Sequence, residues 1–274
     1  MKLSKLEKTV FYILLTAFSL YFLLPFIWMI LTALKSEGEA YTFPPKFFPS
    51  FWHFDNFQTA WNSQPFGTYL VNSVLVAVLT TVGQILSCSM VAYGFARFNF
   101  KGKKVLFTLL LCTMMLPWDV TAIPLYMEFK IFGWINTLKP LIVPAFFGSA
   151  YYIFLLHQSL TTIPRDFEEA AKIDGANEFQ VFTRIFLPIM KPVLNLIGVL
   201  NIITVWNDYL GPLVFLNDRS KYTLALGLAA FKGVHTQQIV PTMAITVVMV
   251  IPPLIAFGFA QKHIIEGMSG AIKE

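Results

Sequence analysis

Charge is scarce in this chain of 274 residues: Lys, Arg, Asp and Glu together make up 13% of it, where a soluble globular domain carries about 25%. With 56% hydrophobic residues and a mean hydropathy of +0.64, that charge cannot cover a water-facing surface, and the chain belongs in a bilayer. Cysteine is nearly missing too. Cys88 and Cys112 both fall inside apolar segments, which excludes a disulfide framework and a cysteine metal site and leaves them as small packing residues. The four histidines, His53, His157, His235 and His263, are far apart, and neither H-E-x-x-H nor G-x-S-x-G occurs, so an intramembrane hydrolase has no support. A phosphate-cradling loop is also lacking, because the one Gly-Lys pair, Gly102-Lys103, has neither the first glycine nor the hydroxyl residue of G-x-x-x-x-G-K-[ST]. Any nucleotide hydrolysis must happen on another chain.

What the chain does have is long uncharged runs. A spanning helix needs about 20 largely apolar residues, and residues 10–34, 66–96, 140–164 and 233–261 contain no Asp, Glu, Lys or Arg. Two more runs carry a single acid each, Asp119 in 105–127 and Asp208 in 192–213. This predicts an all-α membrane protein, one transmembrane domain over 1–274, with six spans at about 10–34, 66–96, 105–127, 140–164, 192–213 and 238–261. The first run is too long for the apolar part of a secretory signal, about 7–15 residues, and no small-residue cleavage site follows it. Basic residues set the orientation: with the N-terminus inside, 13 of the 20 Lys and Arg residues fall on the cytoplasmic side and 7 outside. Both termini and the segment at about 161–188 are then cytoplasmic, as is a tail at 262–274. The pI of 9.1 reads as this topology bias, not as a nucleic-acid partner.

Outside, the loop from Lys35 to Pro65 carries Pro44, Pro45, Pro49 and Pro65 and reads as ordered irregular surface. Its Phe51, Trp52, Phe54 and Trp61 suit headgroup depth as interfacial anchors. Within the runs, Asn72, Gln84, Asn195, Asn201, Asn207 and Asp208 can either line a polar path or bond helix to helix, and Trp118 and Trp206 can either stack on a solute ring or pack the bundle. Buried acids would also suit an ion-coupled secondary transporter of a small polar solute. Its candidates are Asp119, Glu128 and Asp208, of which the first two fall near the outer interface.

The cytoplasmic segment is chemically distinct. Pro164 lies near the start of a short helix, Asp166, Glu168 and Glu169 favour its N-terminus, and Gly175 stands where a left-handed residue would end it. Asn177 can cap a second helix, with Gln180 completing a capping box, and Phe179, Phe182 and Phe186 form one apolar stripe. The first helix spans about 15 Å, too short to be stable alone in water. Its semi-apolar face is Phe167, Ala170, Ala171 and Asp174, with Glu169 and Lys172 at the rim. That face must pack against something, either a partner or the chain's own bundle.

One composite pattern distinguishes these. Glu169-Ala170-Ala171, three residues, Gly175, nine residues, Ile185, one residue and Leu187-Pro188 resembles, at every fixed position, the motif of inner-membrane permease subunits of ABC importers. Asn72-Ser73, Ala92-Tyr93-Gly94-Phe95-Ala96-Arg97, the stretch from Met114 to Pro117, Pro124-Leu125-Tyr126, Trp206-Asn207-Asp208 and Gly267-Met268-Ser269-Gly270-Ala271-Ile272-Lys273 are similar to the carbohydrate-uptake branch, and within it to the smaller second permease of the maltose type. The tail departs from that pattern by ending in Glu274. The resemblance implies a type I importer bundle in a bacterial or archaeal inner membrane. It implies a second homologous permease, ATP-binding cassette subunits and an extracytoplasmic solute-binding protein as partners, and no cofactor on this chain, with ATP and Mg used by the partner subunits. Residue by residue it implies coupling to the ATPase through Glu169, Ala170, Ala171, Asp174, Gly175, Leu187 and Pro188, a tail contact through Gly270 and Lys273, and a substrate path past Asn201, Trp206, Asn207 and Asp208.

Overall fold

The computed structural model describes residues 4–229 and 238–270, and at 259, 260 and 262–270 the backbone only. No strand occurs among the described residues. In chain order the helices are α1 (Lys5–Ala33), α2 (Glu37–Ala40), α3 (Asp55–Ser63), α4 (Phe66–Arg97), α5 (Lys103–Thr113), α6 (Trp118–Ile131), α7 (Lys139–Ile142), α8 (Ala150–Thr161), α9 (Asp166–Ile173), α10 (Glu178–Val181), α11 (Leu187–Ile189), α12 (Lys191–Trp206), α13 (Leu210–Phe215), α14 (Leu224–Ala229) and α15 (Ile239–Gly270). Among the described residues four stretches are long and apolar enough to cross a bilayer: α1, α4, Lys139–Thr161 and Ile239–Gly258. Two bent pairs complete six spans if each pair counts as one: α5 with α6, bent by 99°, and Glu178–Ile189 with α12, bent by 74°.

Proline explains where the bends fall. Pro117, extended at φ −68° and ψ 145°, caps α6 and has no N–H to continue α5. At the second bend Met190 sits between Pro188 and Pro192, so neither side offers a full ladder of donors. The run at 192–213, expected to be a single span, therefore differs: its helix stops at Trp206, and the chain resumes as α13 after a break that Asp208 fastens by accepting the Gly211 N–H at 3.1 Å.

Contacts divide the chain into two compact units, Met1–Phe66 with Gly227–Ile251, and Gly67–Leu226 with Pro252–Glu274. In the first, Ser4 and Glu7 close a capping box at the start of α1, and only the last turn of that helix, Leu31 to Ala33, is buried. The loop after α1 is ordered around Lys35, which is 2% exposed. Its ammonium donates to the Lys46 carbonyl at 2.6 Å and lies 4.3 Å from the Trp28 ring centroid. Asn56 donates to the carbonyls of Ala33 and Lys35, while Glu39 accepts from the backbone and hydroxyl of Ser50. Phe51, Trp52 and Phe54 are exposed, whereas Trp61 packs on Phe66. Glu37 accepts the free N–H groups of Ile239 and Val240 and so caps α15.

The second unit is built on α4, about 48 Å long at 1.5 Å per residue. At one end Asn72 donates to the carbonyls of Ser220 and Tyr222, and Ser73 accepts the Leu224 N–H. Midway, Gly83 admits the Phe146 ring, which a Cβ there would meet at 2.9 Å. Toward Arg97 lies the main core: Cys88, Ala92 and Tyr93 of α4, Tyr152 to Leu160 of α8, then Ala171, Val181, Phe182, Phe186 and Ile197. That core carries the charged loop directly, so the loop is part of the packed bundle at the Arg97 end of α4.

Candidate coupling site

Local chemistry builds the loop as two capped pieces. The acids Asp166, Glu168 and Glu169 occupy the first turn of α9, where the exposed N–H groups favour negative charge. Its end is a Schellman cap: Gly175 has φ +81°, Ala176 donates to the Ala171 carbonyl at 2.9 Å, and Gly175 donates to that of Lys172 at 3.1 Å. Two residues on, Asn177 and Gln180 close a reciprocal capping box, both bonds 2.9 Å, that starts α10.

The following turn differs from the regular helix that the sequence suggests. Phe182–Phe186 is a π-helical turn, lying just before Pro188, whose ring cannot accommodate a regular ladder. The expected single stripe of Phe179, Phe182 and Phe186 is thereby split. Phe182 and Phe186 enter the core while Phe179 stays 72% exposed.

The faces of α9 also need one correction. Phe167, Ala170 and Asp174 are exposed, as are Glu169 and Ile173, the last at 87%. Ala171, expected beside them, is only 8% exposed and belongs to the core of its own bundle, together with the buried Glu168. An eight-residue helix cannot choose its own rotation. Contacts from the neighbouring α4 and α10 choose it.

Those contacts form a polar network. Lys172 bridges Glu168 at 2.8 Å and Glu178 at 2.7 Å, and these hydrogen bonds, to Glu168 first and then to Glu178, push the ammonium above the ordinary lysine value. The Tyr93 hydroxyl donates to the other oxygen of Glu178 at 3.2 Å. One turn further along α4, Arg97 donates to the carbonyls of Leu160 at 2.8 Å and Ile163 at 2.9 Å, and its guanidinium lies 4.4 Å from the Phe186 ring centroid. Sequence reasoning missed Glu168, Glu178, Tyr93 and Arg97 as partners of the loop. Of these only the Glu168–Lys172 spacing of four was a readable pairing signal.

The remaining candidates are scattered. Gly175 and Pro188 are exposed and Leu187 is half-buried. Asn201 is buried and spends both amide hydrogens on Thr80 and Thr81 of α4, at 3.1 and 2.9 Å, which is helix-to-helix bonding. Asn207 is exposed and donates back to the Ile203 carbonyl, Trp206 is buried, and Asp208 holds the turn to Gly211. Asp119 and Glu128 are both exposed. Lys273 lies outside the described residues, as do His235 and the surroundings of Gly270.

A helical membrane bundle that carries this motif on an ordered, outward-facing loop defines a permease subunit. The family described as binding-protein-dependent transport system inner membrane component matches residues 85–270, and the chain belongs to it. It is 34% identical over 251 residues to a probable ABC transporter permease of Bacillus subtilis, covering 91% of this chain and 83% of that one. A diacetylchitobiose uptake permease of Streptomyces coelicolor is 30% identical, over 93% of this chain and 85% of its own. An arabinooligosaccharides transport permease of Bacillus subtilis is likewise 30% identical, over 98% and 96%. In fold, the chain is similar to one from the crystal structure of a bacterial ABC transporter that imports the polysaccharide alginate, with a TM-score of 0.81 and 24% identity over 96% of this chain and 99% of that one. The protein is thus a multi-pass inner-membrane component of ABC transport, with no ATPase site of its own.

Proposed function

We propose that this chain is one of two homologous permeases in an importer that takes up a sugar or oligosaccharide handed over by an extracytoplasmic solute-binding protein, with ATP-binding cassette subunits using ATP and Mg on the cytoplasmic side. In this reading the chain works as one transmembrane domain with both termini cytoplasmic, as the bias of Lys and Arg supports. A single observation carries it. The capped helix α9 turns Phe167, Ala170, Ile173 and Asp174 away from its own core, an apolar and acidic face left exposed among the described residues. Glu169, Gly175, Leu187 and Pro188 are read as parts of the same coupling element, and Gly270 and Lys273 as a further contact of the tail.

Similarity to permeases named for diacetylchitobiose and arabinooligosaccharides supports a carbohydrate cargo. The polar residues of α12 supply little toward it here, since Asn201 is occupied by α4. Most cargo contacts are therefore assigned to the partner permease.

The test is a photocrosslinker at Ala170 in the assembled complex, together with uptake in proteoliposomes. Capture of an ATP-binding subunit, with uptake that needs internal ATP and persists without an ion gradient, is the expected result. Capture of nothing but this chain, or uptake that follows the ion gradient and ignores ATP, would replace this reading with ion-coupled secondary transport.

A further inference from the structure

A coupling helix moves a bundle only if its own flanking turns do not absorb the push. The turn that leaves α9, at 174–177, is held by its own Schellman cap and capping box, whereas the turn that enters it, at 162–165, contains Pro164 and has only the short-range bonds of Thr162 and Ile163 to Ser159 and Leu160. Something must brace that entrance. A buried side chain that reaches both ends of the loop is Arg97, the last residue of α4. One terminal nitrogen donates both its hydrogens, to Leu160 in the last turn of α8 and to Ile163 in the turn that enters α9. These carbonyls lie where a helix end leaves acceptors without intrahelical donors and where a cation is favoured. The same guanidinium lies over the Phe186 ring, 4.4 Å from its centroid, a cation–π contact with the segment that leaves the loop.

Tyr93, four residues earlier on the same face, repeats the pattern. Its ring packs 5.1 and 5.2 Å from Phe182 and Phe186, and its hydroxyl reaches α9 through Glu178 and Lys172. Entrance and exit of the loop are therefore both fastened to the final turn of one long helix.

We propose that Arg97 is a positioning residue for coupling: it cross-braces the α8–α9 turn, the π-helical turn and α4, so that force on α9 tilts α4 instead of being lost in the loop. The inference rests on the importer reading above. Arginine suits the geometry better than lysine, because its planar guanidinium meets two carbonyls through a terminal nitrogen while its own face lies over the ring, whereas an ammonium has to meet all three from a single nitrogen.

The experiment compares wild type, R97M, R97K and F186L in the complete importer in proteoliposomes, measuring subunit co-purification, ATP hydrolysis and solute transported per ATP. Each charge-assisted hydrogen bond lost is a factor of about ten in an equilibrium, so R97M is expected to assemble and hydrolyse ATP while transport per ATP falls by about tenfold or more. R97K should recover part of that ratio, and F186L, which removes only the ring, should lower it less than R97M. Normal transport per ATP in assembled R97M would overturn the proposal. So would a loss in all variants that merely follows the loss of assembled complex, with the ratio unchanged. If R97M fails to assemble, the F186L ratio decides alone. Absence of any ATPase with the wild-type chain would instead sink the importer reading itself.

Discussion

Lys172 and Glu178, 2.7 Å apart, join the helix before Gly175 to the helix after it. The left-handed turn between them is thereby closed on one side by an ion pair and on the other by the Ala176 to Ala171 backbone bond at 2.9 Å. A segment of eight residues, too short to hold its shape in water, is held as a rigid platform.

Loss of that pair should loosen the platform and spare the bundle. In K172M or E178Q, backbone hydrogen exchange over 166–176 is expected to accelerate while exchange in α4 and α8 stays slow. The pH dependence has a definite sign. Because the folded ammonium sits above the ordinary value of 10.5, its contribution is complete below that value and is lost only as pH rises through the higher folded one. Wild-type exchange protection of α9, corrected for intrinsic rates, should therefore be flat from neutral pH up to the ordinary lysine value.

Gly175 offers a graded series. No atom lies within 4 Å of where its Cβ would be, so a substitution meets only the backbone penalty at φ +81°. That penalty is roughly 1–2 kcal/mol for alanine and more for a β-branched residue, and asparagine visits the region readily. G175N should transport nearly as wild type, G175A less, and G175V least, with α9 exchange rising in the same order. A G175V importer with full transport and a protected α9 would remove the cap from any role in coupling.

How much of this was legible depended on range in the chain. The Gly175 stop and the Asn177–Gln180 box could be read because each is completed within a few residues, by groups whose geometry is set locally. The long apolar runs could be read as candidate spans, four of them free of charge and two with a single acid, yet the break inside 192–213 and the 99° turn after Thr113 depend on where Pro117, Pro188 and Asp208 meet their neighbours. Helical spacing puts Ala171 on one stripe with residues 167, 170 and 174, and only the resemblance of the motif turns that stripe toward a partner. Which way an eight-residue helix faces is decided by Tyr93 and Phe182, far away or across a turn. Arg97 was visible as the charge ending a span, but its acceptors are 63 and 66 residues distant.

Asn201 separates packing from passage. Its two donor bonds tie α12 to Thr80 and Thr81, and intramembrane pairs of this kind average about 0.6 kcal/mol, up to about 2. N201A should lower the thermal stability of the detergent-solubilised complex and leave the KM for solute unchanged. An altered KM with unchanged stability would return Asn201 to the substrate path.

Glu39 gives the loop after α1 an acid-sensitive fastening. Its carboxylate accepts from the Ser50 hydroxyl at 2.8 Å and from the Ser50 backbone at 2.9 Å, and the hydroxyl bond is the foremost cause holding its pKa below the ordinary 4.5. A carboxylate lowered on folding contributes stability that is complete above its unfolded value and is lost as pH falls through the folded one. Limited proteolysis within residues 40–52 should therefore be slow and constant at neutral pH and accelerate only in acid below the ordinary carboxylate range. E39Q should be cut faster at neutral pH and lose that acid step. Should both chains be cut equally at neutral pH, the loop would be held by Lys35 and Asn56 alone, whose bonds to the Lys46, Ala33 and Lys35 carbonyls carry no acid to protonate.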